Sequence, residues 1–102
     1  MRLQSFVTGS LKTSPPMPKV TIYTRPLCSY CTRAVSLLTG KGADVTEIEA
    51  GFDPELRREM NERAGGGYNT FPQIFIGDTH VGGCDDLMEL EDEGRLDALL
   101  SQ

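Results

Sequence analysis

A chain of 102 residues, 38% hydrophobic and 25% charged, has the length and composition of one folded domain and not of a disordered tail. Its longest apolar runs, Ile74-Phe75-Ile76 and Leu99-Leu100, fall far short of the ~20 residues that span a bilayer. Ten basic against 15 acidic residues give a net charge of −5, a surface that repels nucleic-acid backbones and anionic membranes, so neither is expected as a partner.

Residues 1–16 stand apart from the rest. They carry Arg2 and Lys12 but no acid, and they close on Ser14-Pro15-Pro16. Gln4 and Ser5 interrupt the apolar stretch that a secretory signal needs. We read 1–16 as an N-terminal extension, disordered or vector-derived, and 17–102 as the domain. Without the extension, 8 basic residues face 15 acidic ones.

Val20 to Thr24 is β-branched and aromatic, the pattern of a strand that Arg25-Pro26-Leu27 breaks. From Ser29 to about Lys41, Tyr30, Ala34, Leu37 and Leu38 recur at helical spacing until Gly40 and Gly42. Asp44 to Ile48 is a second strand with imperfect alternation. Asp53-Pro54 starts a helix, aspartate as N-cap and proline first inside, and Gly65-Gly66-Gly67 stops it. Gln73 to Ile76 and Thr79 to Val81 flank Gly77-Asp78 as a hairpin. Asp86-Leu87-Met88-Glu89 has a capping-box pattern for a third helix ending at Gly94, and Leu96 to Leu100 is a short last one. The order β-α-β-α-β-β-α-α predicts an α/β domain, a parallel strand pair extended by an antiparallel hairpin.

Chemistry concentrates in the cysteines. Three cannot pair off completely, which argues against a secreted disulfide scaffold. Cys28 and Cys31 are spaced C-x-x-C across a strand–turn–helix boundary. There Cys28 meets the free N–H groups and positive dipole end of the helix, which favour a thiolate, while Cys31 lies one turn deeper. Arg25 adds positive charge. An exposed thiolate beside a resolving thiol is what dithiol–disulfide exchange requires. Structural zinc is the rival: Cys28, Cys31, His80 and Cys84 have workable ligand spacings, although Cys31 falls inside a helix and His80 reads as a solvent-facing strand residue.

Three segments, Thr24-Arg25-Pro26-Leu27-Cys28-Ser29-Tyr30-Cys31, Thr70-Phe71-Pro72-Gln73-Ile74-Phe75-Ile76 and Val81-Gly82-Gly83-Cys84-Asp85-Asp86-Leu87, together resemble the glutaredoxins of the small dithiol bacterial kind. The resemblance runs from about Pro18 to Leu100. Thioredoxin is the poorer match, because its active site usually places a Trp before the first cysteine and this chain has none. The resemblance implies a thioredoxin-like fold, a four-stranded mixed sheet flanked by helices. It implies a cytoplasmic glutathione–disulfide oxidoreductase acting on glutathionylated or disulfide-containing proteins, at a potential of about −200 to −230 mV.

By position, Cys28 matches the nucleophile and Cys31 the resolving thiol. Arg25, Tyr30, Thr70, Phe71, Pro72, Gly83, Cys84 and Asp85 match the glutathione-binding positions. Arg25 stands where a base, usually Lys, holds the glycyl carboxylate, and Pro72 where a cis proline exposes the backbone of Phe71. Cys84 and Asp85 open a helix that would receive the γ-glutamyl end. The chain departs from the family at Ser29 (usually Pro), at Phe71 (usually Val) and in a longer 65–69 loop. Ser29 motivates the alternative, a glutathione-ligated [2Fe–2S] cluster held by Cys28 from each of two protomers. The reductase reading expects a monomer and glutathione as cosubstrate.

Overall fold

In the computed structural model, residues 18–101 are described, and the proposed extension 1–16 lies outside them. The central strand β1, Lys19–Thr24, is buried from Val20 onward. A strand buried on both faces reads as an unbroken β-branched and aromatic run rather than an alternating one, which is what Val20 to Thr24 shows. Around it stand α1 (Ser29–Gly40), β2 (Asp44–Glu49), α2 (Pro54–Arg63), β3 (Gln73–Ile76), β4 (Thr79–Gly82), α3 (Cys84–Asp92) and α4 (Leu96–Leu100). The sheet order is β2-β1-β3-β4. Strand β1 runs parallel to β2 and antiparallel to β3, and β3 pairs antiparallel with β4. This is the thioredoxin-like α/β fold.

Two apolar clusters sandwich the sheet. On one face Val20, Ile22, Ile74 and Ile76 meet Ala34 and Leu38 of α1, Leu87 of α3, and Leu96 and Leu100 of α4. On the other Tyr23 and Phe75 meet Ala50 and Met60, with Leu56 of α2 against them. Each fully buried large side chain contributes about 1.5–3 kcal/mol through removal from water, so the first face carries most of the hydrophobic stabilisation. The sandwich also explains the irregular alternation of β2. Val45 packs against the first cluster and Ile48 against the second, so two apolar residues three apart serve opposite faces.

Local chemistry sets the helix ends. Asp53 caps α2, its Oδ1 accepting from the N–H groups of Glu55 at 3.0 Å and Leu56 at 3.2 Å, with Pro54 first inside. Helix α3 begins earlier than its capping-box pattern predicts. Gly83 is the N-cap and Asp86 is the third helical residue, whose Oδ2 accepts from the Gly83 N–H at 3.0 Å. A glycine has no side chain to return the bond, so only half of the box forms. The Gly77-Asp78 turn closes the hairpin as expected, with Gly77 at φ 58°. None of the described helices is long and apolar enough to cross a membrane.

Candidate active site

The chain leaves β1 through a tight turn in which Leu27, fully exposed, takes a left-handed backbone at φ 56°. Among the described residues it is the one non-glycine at positive φ. That conformation costs an L-residue about 1–2 kcal/mol, and nothing in the residue type announces it. It delivers Cys28 to the N-cap of α1, where the Cys28 Sγ accepts from the Cys31 N–H at 3.2 Å. The sulfur thus takes the place of the oxygen that ordinarily caps a helix. Neighbouring loops press against this turn. The Ala50 N–H donates to the Thr24 carbonyl at 2.8 Å, and a Cβ on Gly51 would fall 2.6 Å from Cβ of Arg25.

Cys31 is buried as expected, at 3% exposure, but Cys28 is less accessible than expected, at 7%. The expectation of an open Cys28 is therefore corrected, because the capping position that places its sulfur over the helix end also draws it below the surface. The two sulfurs are unequal. Burial pushes the Cys31 thiol up to about 12, reinforced by its hydrogen bond to Cys28, while a hydrogen bond from the Arg25 backbone works the other way. Cys31 therefore holds its proton. Arg25 reaches the pair through its main chain as well as through its charge, a contact no motif signals.

Beside the cysteines lies a groove of about 330 Å³. It brings together Tyr30, Thr70, Phe71, Pro72, Gly83, Cys84 and Asp85 of the anticipated binding residues. Arg25 does not line it; it stands exposed on the β1–α1 turn. Phe71–Pro72 is cis. Arg57 of α2 lies over the Phe71 ring, 5.7 Å from its centroid. Gly82 has φ 115°, and a Cβ there would collide with the Asp86 carboxylate, so only glycine fits where β4 turns into α3. Cys84 is buried, which raises its thiol against the opposing charge of Arg33.

Tyr68, read from the sequence as plain loop, lines the groove too. His80 is a second correction. It is half-buried rather than solvent-facing, its ring stacked on Phe75 with centroids 4.9 Å apart and its Nε2 2.7 Å from Oε1 of Gln73. Burial lowers its pKa, against the Asp86 carboxylate. The zinc alternative does not assemble: among the described residues no three His, Cys, Asp or Glu side chains converge as metal ligands. The aromatic stack commits His80 elsewhere.

Comparison with known proteins decides the family. A glutaredoxin family model matches residues 20–81. The chain belongs to the glutaredoxins. Over 85 residues it is 58% identical to a glutaredoxin of Pseudomonas aeruginosa, covering 83% of this chain and 99% of that one. Its fold superposes on the solution structure of glutaredoxin from Brucella melitensis with a TM-score of 0.72 and 63% identity, over 86% of this chain and 95% of that one. A buckwheat glutaredoxin, solved as a glutathione complex, superposes with a TM-score of 0.70 at 29% identity, over 80% of this chain and 76% of that one. Membership places the chain in a thiol oxidoreductase family, and the Cys28–Cys31 spacing at the start of α1 fits a C-x-x-C active site.

Proposed function

We propose that the chain reduces protein–glutathione mixed disulfides and protein disulfides at the expense of glutathione. The observation that carries this reading is the inequality of the two cysteines, Cys28 capping α1 and Cys31 one turn inward with its thiol near 12. The Cys28 thiolate attacks the glutathione sulfur of a mixed disulfide. The disulfide bond between the glutathione sulfur and the protein sulfur breaks, and the departing protein thiolate takes a proton from solvent. A glutathione thiolate then attacks the Cys28–glutathione disulfide, giving oxidised glutathione and restoring the Cys28 thiolate.

On a protein disulfide, Cys31 closes the cycle. Two of the causes that raise its thiol, the hydrogen bond to Cys28 and the charge of Cys28, vanish once Cys28 is in a mixed disulfide. Cys31 then loses its proton more readily and attacks Cys28, which releases the reduced protein. The groove supports glutathione as the bound thiol. The edge of Phe71 can pair with an extended peptide, the first N–H groups of α3 at Cys84 and Asp85 suit a carboxylate, and a buckwheat relative was solved with glutathione bound.

Cys28→Ser is expected to abolish turnover of a glutathionylated peptide, and Cys31→Ser to retain it while losing protein-disulfide reduction. Retained deglutathionylation in Cys28→Ser would assign the nucleophile elsewhere. The cluster-bridged dimer is separated from this reading by anaerobic reconstitution with iron, sulfide and glutathione. A colourless monomer is expected; a visible charge-transfer band with dimer-sized elution, both lost in Cys28→Ser, would favour the cluster carrier.

A further inference from the structure

The groove wall at Thr70 is held from behind. Gln73, the first residue of β3, is 2% exposed, and its side-chain amide is almost fully engaged. Its Nε2 donates to the Thr70 carbonyl at 3.1 Å and to Thr70 Oγ1 at 3.0 Å. Its Oε1 lies 2.7 Å from Nε2 of His80. An amide oxygen only accepts, so the proton in that last contact sits on His80 Nε2. The opposite amide orientation would set the Gln73 oxygen against the Thr70 carbonyl, two acceptors face to face. The chain of bonds therefore has one direction, from His80 through Gln73 to Thr70.

That direction has a consequence at the groove. Thr70 Oγ1 already accepts from Gln73, so its own O–H remains to donate. Thr70 is exposed and lines the groove, so that O–H can donate to water or to a ligand there. The far end of the chain is fixed by packing: His80 is stacked on Phe75 at 29° and meets the edge of Tyr68 with centroids 4.7 Å apart. An irregularity in the β3–β4 register between Ile74 and Phe75 sets Phe75 opposite His80. Ahead of Thr70 the chain passes through Gly65, Gly66 and Gly67, all at positive φ, so little local stiffness fixes the threonine from that side.

We propose that Gln73 and His80 are positioning residues for the thiol substrate. They hold the Thr70 hydroxyl as a donor into the groove and so select a ligand with a carboxylate or carbonyl oxygen at that point. The inference rests on the reading of the groove as a glutathione site. A thiol without carboxylates, such as cysteamine, gains nothing from this donor.

The test compares glutathione and cysteamine mixed disulfides of one peptide on the full chain. His80→Phe keeps an aromatic ring against Phe75 but removes the donor, whereas His80→Gln returns an amide N–H near the Nε2 position. One hydrogen bond is worth about 0.5–1.5 kcal/mol, roughly 2–10-fold in binding. His80→Phe should raise KM for the glutathione mixed disulfide by that factor with kcat little changed, and should leave KM for the cysteamine one unmoved. His80→Gln should recover most of the loss. In Thr70→Val the donor is already gone, so adding His80→Phe should cost nothing more. Gln73→Met, similar in volume, gives a second cycle with the same expectation.

Equal losses on both substrates, effects that add to those of Thr70→Val, or no recovery in His80→Gln would overturn the positioning role and leave a merely structural one. A parent chain that turns over neither mixed disulfide would overturn the glutathione reading itself. An active parent with an unmoved KM in His80→Phe overturns only the positioning role.

Discussion

Cys28 and Cys31 are separated by two residues, and the fold gives them unequal settings. The difference is visible in pH. Burial and the adjacent Cys28 raise the Cys31 thiol from 9.0 to about 12, so folding favours its protonated form. Its contribution to stability is therefore complete below pH 9 and is lost as pH climbs toward 12. Reduced Cys31→Ser should show a shallower alkaline loss of urea resistance than the parent over that window. Peptide-resolved alkylation should place the Cys31 midpoint lower in Cys28→Ala than in the parent, yet still above an ordinary thiol, because burial persists. An unchanged midpoint would mean that Cys28 contributes nothing to holding the Cys31 proton.

The elements that carry the site are short, and their ends matter more than their middles. Asp53 holds the first N–H groups of α2, and Asp53→Ala should cost about 1 kcal/mol in urea unfolding. A loss of only a few tenths would show that Pro54 sets the start of α2 unaided. Where an end was set by residue type, the sequence made it legible: the Asp53-Pro54 start, the Gly77-Asp78 turn and the strand-to-helix setting of Cys28 all appear as anticipated. Where an end depended on tertiary contact, it was not. Asp86 looks like a helix opener in sequence, but it sits third in α3 because Gly82 and Gly83 have already turned the chain. Tyr68 and His80 gave no local signal because their roles come from each other and from Phe75, on segments that meet only in the folded sheet. Gln73 stood inside a recognised motif, yet its partners Thr70 and His80 are read only from coordinates.

Across the whole molecule the two faces of the sheet are unequally secured. Nine buried residues form the cluster under α1, α3 and α4, against four under α2. Fewer buried apolar contacts mean a lower local opening free energy, so amides of α2 should exchange with deuterium faster than those of β1, β3 and the inner turns of α1. Uniform protection would indicate that the domain opens only as a unit. The polar bridge on the thin face, Tyr23 Oη donating to Glu59 at 2.6 Å and accepting from Arg63 at 3.0 Å, ties α2 to the central strand where apolar contact is sparse. The sheet's rim has a further consequence. Among the described residues, strand β2 is an outer strand with one side unpaired, and a bare β edge invites the same edge of another molecule to add on, the first step toward fibrils. Asp44, Glu47 and Glu49 stand exposed along it. Two such edges brought together would set carboxylate against carboxylate, so the acidity that opens the sequence as a bulk charge acts at this one strand as a guard against self-polymerisation.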